Sequence, residues 1–123
     1  MSSLYNMSRI LTGILGFIAL GGVVWFGSIL NNMIALAAVL LGLASLATVF
    51  VPQRKLSSGV IRQILIALCI VGIGAGFFLV VDNLRAPGGI EWDVVSMNVL
   101  HIIALATMAL IALRRSLESA QQA

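Results

Sequence analysis

The chain has 123 residues, 61% hydrophobic and 9% charged, with a net charge of +3. Soluble domains carry about 25% charged residues, so there is too little polar material to cover a water-facing surface, and burial in lipid is expected instead. The basic excess does not point to nucleic acid, because its residues are dispersed at the ends of apolar runs without aromatic or glycine-rich interleaving.

In chain order, Met1–Ser8 reads as a short polar leader, an interfacial turn with Tyr5 at headgroup level. The first apolar run is Ile10–Ile29. It exceeds the ~7–15 residues of a signal-peptide core and lacks a small-x-small cleavage site, so it is read as a retained span. Asn31-Asn32 makes a tight turn into the second run, Met33–Val51, which Pro52 ends for want of a backbone N–H. Pro52–Gly59 connects to the third run, Val60–Val81. Asp82–Asp93 is the longest loop, turned by Pro87-Gly88-Gly89, and the fourth run is Val94–Leu113. The polar tail from Ser116 is expected to continue the fourth helix before fraying.

Each run is about 20 residues, enough for a helix to cross a hydrocarbon core of ~30 Å. The runs are continuously apolar, whereas spanning strands alternate in polarity. The expectation is a single-domain, all-α membrane protein: an antiparallel bundle of four transmembrane helices. Arg9, Arg54, Lys55, Arg62, Arg114 and Arg115 fall on one side of this frame and Arg85 on the other. By the positive-inside rule both termini are cytoplasmic in a cell (inner or plasma) membrane, the six acting as anchors beside lipid headgroups. A weak internal repeat pairs Arg9 with Arg62, Gly21 with Gly74, and Trp25 with Phe78, as two repeated helical hairpins would.

Small residues let helix backbones approach in lipid. Stripes of them run through Thr12, Gly16, Ala19 and Gly22; Ala35, Ala38, Gly42 and Ser45; Cys69, Gly72 and Gly76; and Ala106, Ala109 and Ala112. They are read as packing within the bundle, with Gly72–Gly76 the stripe best suited to a partner chain. The lone Cys69 allows neither an internal disulfide nor a thiolate metal cage.

The remaining polar residues concentrate in the outer half, and Asn98, His101, Asp82, Arg85 and Asp93 form the candidate functional cluster. Asn98 and His101 share a helical face. His101 lies about 10 Å below the start of its helix, and an ionisable group at that depth is a functional candidate. Three roles are open to it. It could be a haem ligand, although the chain has no second histidine; a proton relay titrating near neutrality; or a neutral residue bonded to Asn98, Asn31 or a backbone carbonyl. The last is adopted, and no metal or other cofactor is expected.

Enzyme signatures are absent. The function expected is that of a non-catalytic accessory, assembly or scaffold subunit of an inner-membrane complex, with other membrane subunits, copies of itself and lipid as partners. The alternative is a small homo-oligomeric transporter or channel coupled through His101. In length and span count the chain resembles the small multidrug-resistance transporters. It departs from them where their coupling glutamate would lie, because Ile10–Ile29 contains no acid.

Overall fold

The computed structural model describes residues 2–26, 32–85, 88–89 and 91–122. It contains four helices, α1 (Ser2–Phe26), α2 (Asn32–Val49), α3 (Gly59–Leu84) and α4 (Trp92–Gln122), with a 3-10 segment at Gln53–Ser57 between α2 and α3. All four are long and apolar enough to cross a membrane. No strand occurs among the described residues.

The helices form a closed ring in which α1 and α3 each pack against both α2 and α4. Direction can be read from the close contacts. Leu20 meets Gly42, Gly16 meets Ser45 and Gly13 meets Val49, so α1 and α2 run antiparallel; Gly72 on Leu105 and Gly76 on Ile102 say the same of α3 and α4. The two hairpins lie side by side. The ends of the bundle are called the basic end, which holds the 3-10 segment, and the acidic end, which holds Asp82 and Asp93.

Several boundaries differ from the sequence reading, among them the start of α4 at Trp92, inside the expected loop. Helix α1 starts at Ser2, so the leader is helical, and Tyr5 is fully buried with its hydroxyl donating to the Val51 carbonyl at 2.8 Å. The 3-10 segment packs against α1, and its fully buried Leu56 belongs to the same hydrophobic cluster as Tyr5. Helix α3 continues to Leu84, placing Asp82 in its last turn rather than in a loop. At the other junction, α2 ends at Val49, and Phe50 and Val51 donate to Ala47 and Thr48 before Pro52 breaks the ladder. Ser58 caps α3, its side chain accepting from the Ile61 N–H. Gly89 takes φ +104°, the left-handed geometry that favours glycine in the expected turn. Asn31 and Pro87 lie outside the described residues.

Polarity is distributed inside-out. Ile10, Ile14, Phe17, Leu43, Ile70 and Phe77 are exposed, while Thr12, Ser45, Thr48 and His101 are buried. In water this arrangement would cost free energy on both counts; with lipid outside, only the polar interior requires partners. It is what a multi-pass membrane protein requires.

Candidate functional site: a buried polar seam

The structure does not bring the five candidate residues together. Asp82, Arg85 and Asp93 are exposed, Asn98 is half-buried, and only His101 is enclosed, at 2% exposure. Among the described residues the ion pair is Arg114–Glu118 at the opposite end, 3.3 Å apart and exposed, so Arg85 bridges neither acid. The loop is held instead by Asn83, whose side-chain oxygen accepts from the Glu91 N–H at 3.0 Å.

His101 has a partner that the sequence reading did not name. Its Nε2 lies 2.6 Å from Ser45 Oγ in a buried hydrogen bond, where the sequence reading named Asn98, Asn31 or a carbonyl; of these Asn31 lies outside the described residues. Asn98 stays half-buried, whereas α2 presents a small hydroxyl directly inside the ring. The bond joins α2 to α4, helices that stand across the ring rather than beside each other. Among the described residues no three of His, Cys, Asp or Glu gather as a metal site would need.

Two more hydroxyls continue this seam toward the basic end. Thr48 Oγ1 donates to the Ser45 carbonyl at 2.6 Å. Thr12 on α1 is fully buried, and its Oγ1 has no hydrogen-bond partner. Sequence reasoning counted Thr12 and Ser45 only as small packing residues. Their polarity at positions four residues from Gly16 and three from Gly42 was the available signal. Interhelical hydrogen bonds in membranes average about 0.6 kcal/mol, with a maximum near 1.7. Ser45→Ala, which strands a buried imidazole nitrogen, is expected toward the upper end, at ~1.5 kcal/mol. Chemical unfolding in mixed detergent would measure it; no change would mean that His101 finds another partner.

The glycines set how closely the helices approach. A Cβ on Gly16 would lie 2.7 Å from Ser45 Cβ and 3.2 Å from the Gly42 carbonyl oxygen. One on Gly42 would lie 3.0 Å from the Gly16 carbonyl oxygen. Gly72 and Gly76 are buried against Leu105 and Ile102 of the same chain. The stripe singled out for a partner is therefore covered from within the bundle. Gly21, Gly22 and Gly74 instead have open space beside them.

At the basic end the six cations behave differently from one another. Arg54 and Lys55 are exposed on the 3-10 segment, Arg114 is held by Glu118, and Arg9 is half-buried. Arg62, grouped by the sequence with the headgroup anchors, is buried. Its Nε donates to Ser116 Oγ at 2.9 Å, and its Nη1 donates to the carbonyls of Leu56 at 2.8 Å and Ser57 at 3.3 Å. Arg115 donates to the Gln53 carbonyl at 3.3 Å. Both close the floor of the bundle, because a 3-10 segment leaves carbonyls unpaired and guanidinium groups on α3 and α4 reach them.

The outer surface carries two apolar grooves on either side of α2. One, about 440 Å³, is lined by residues of α1 and α2 that include Gly13, Ile14, Phe17 and Leu46. The other, about 400 Å³, is lined by residues of α2 and α3 that include Leu40, Leu43, Ala67 and Val71. Both open sideways. Neither reaches the polar seam.

Comparison with protein-family models, with curated proteins and with solved structures finds no match to this chain.

Proposed function

We propose that this protein is a non-catalytic accessory, assembly or scaffold subunit of a larger complex in a bacterial-type inner membrane, inserted with both termini in the cytoplasm. The observation that supports this most is the pair of sideways-opening apolar grooves flanking α2. Lipid is as apolar as leucine, so helix association in a bilayer rests on shape and close packing. A grooved helix pair offers both to a partner's transmembrane helix. Six of the seven Lys/Arg residues lie at the basic end, which supports the orientation.

The test fills the grooves without touching the core. Ile14→Trp and Ala67→Trp, at partly or fully exposed positions lining one groove each, are expected to release the co-purifying subunit while leaving the thermal midpoint within a few degrees. Retention of the same partners by both variants would count against the reading. A second reading, a small homo-oligomeric transporter or channel with His101 as its coupling group, is supported by the depth of that ionisable residue in the bundle. Transport that survives His101→Gln in a correctly folded variant would remove it.

A further inference from the structure

We infer that the N-terminus of α3 binds the phosphate of an anionic phospholipid, with the guanidinium of Arg62 as its buried countercharge. The observation that carries this is an unbalanced charge. Arg62 is buried at 9% exposure, yet every acceptor that it meets among the described residues is neutral: the Ser116 hydroxyl and the carbonyls of Leu56 and Ser57. The acid at this end of the bundle, Glu118, is exposed and pairs with Arg114. A cation taken out of water without a counter-ion is costly, which is why buried charges are as a rule paired.

The floor bonds use Nε and Nη1, and Nη2 makes no hydrogen bond among the described residues. That nitrogen is turned toward the first residue of α3, 3.6 Å from where a Cβ on Gly59 would stand. It is also reachable from outside, because the one fully enclosed polar side-chain atom without a partner among the described residues is Thr12 Oγ1. Beside it, the N–H groups of Gly59 and Val60 open the helix and find no acceptor among the described residues, whereas those of Ile61 and Arg62 are taken by Ser58. Free N–H groups at the positive end of a 26-residue helix suit an anion. Glycine at 59 leaves the space beside the guanidinium clear of any side chain. Arg54 and Lys55, exposed on the neighbouring 3-10 segment, raise the local concentration of anions.

The surroundings favour a lipid phosphate over one free in solution. In a bundle that spans the bilayer, the start of α3 lies at headgroup level. Val60 and Ile64, one turn apart on α3, are 67% and 52% exposed, and they give an acyl chain an apolar path leading away from the phosphate. A soluble anion would leave that path unused. Val60 stands outside the α2–α3 groove and Ile64 is its last lining residue toward the basic end, so this lipid and a partner helix are compatible. The site presupposes bilayer insertion, as the proposed function does, but not the identity of any partner.

The test uses the full chain, first shown to resist alkaline extraction from vesicles, which establishes insertion separately. Native mass spectrometry in detergent is expected to show phosphatidylglycerol bound about fivefold more tightly than phosphatidylcholine. Gly59→Asp puts a carboxylate beside Nη2 in the phosphate's place, at a position where an acid favours the helix. It should weaken phosphatidylglycerol binding by about tenfold or more, and raise the thermal midpoint in phosphatidylcholine because the guanidinium gains a resident counter-ion. Arg54→Ala changes the net charge by the same unit and should weaken binding by about twofold. Gly59→Ala, whose methyl would make ordinary contact with Nη2, should bind as the native chain does. Equal losses in Gly59→Asp and Arg54→Ala would show diffuse attraction and overturn the proposal. So would inorganic phosphate that raises the native midpoint as far as phosphatidylglycerol does, since the ligand would then be a soluble anion. A native chain that holds both lipids equally overturns it whether or not the Gly59→Asp variant folds.

Discussion

Gly16→Leu is expected to pry α1 from α2 and to be among the most damaging single substitutions in the chain. The added Cβ would meet Ser45 Cβ at 2.7 Å and the Gly42 carbonyl oxygen at 3.2 Å. The oxygen is backbone and cannot rotate away, so the helices must separate. Overpacking a tight interior costs about 1–3 kcal/mol and sometimes more. The upper figure is expected here, because Ser45 would also be displaced from His101. Gly74→Leu is the matched control. Its Cβ would face open space, and the change should fall within ~0.5 kcal/mol of the native protein. Thermal unfolding in detergent, followed by tryptophan fluorescence, compares the two. A similar loss in both would show that the α1–α2 contact does not govern the effect, since helix propensity alone favours leucine over glycine.

Arg62→Met is expected to open the floor at the basic end. It would remove the donors that serve the Leu56 and Ser57 carbonyls and Ser116 Oγ, leaving a segment that has few other bonds. Losing partners of buried polar groups costs ~1–3 kcal/mol, and about 3 kcal/mol is expected because one side chain serves several. Arg62→Lys separates this role from lipid anchoring. A lysine keeps the charge but is a point donor on a flexible stem, without the rigid fork that spans Ser116 and Leu56. It should recover little stability, whereas an anchor would be rescued. Limited proteolysis reads the opening directly: cleavage after Arg54 or Lys55 should accelerate in both variants. Arg54→Ala, at an exposed position, should change stability little.

How far the sequence reached follows from what lipid does to the usual signals. The four apolar runs were legible because a spanning segment must be continuously apolar, and each lies largely inside one of the four helices. Helix ends were less so. Backbone hydrogen bonding carries α1 back to Ser2 and α3 on to Leu84 across residues that hydropathy places outside a span. The inward face was the hardest to read. Around α2 almost every side chain is apolar, so no hydrophobic stripe marks the interior as it would in water. His101 announced itself by being ionisable. Ser45 did not, since in the sequence it was one small residue in a row of alanines and glycines. Arg62 was misread for a related reason: a basic residue at the end of a run signals an anchor equally well whether it faces headgroups or turns inward to a loop.

The Ser45–His101 bond also bears on how the bundle is made. Ser45 belongs to the first hairpin and His101 to the second, and the ring places their helices across from each other. Until the hairpins meet, the imidazole lacks this partner and Ser45 can turn only to the backbone of its own helix. The pair therefore links the two halves of the ring, and a chain stopped after the first hairpin would lack that link.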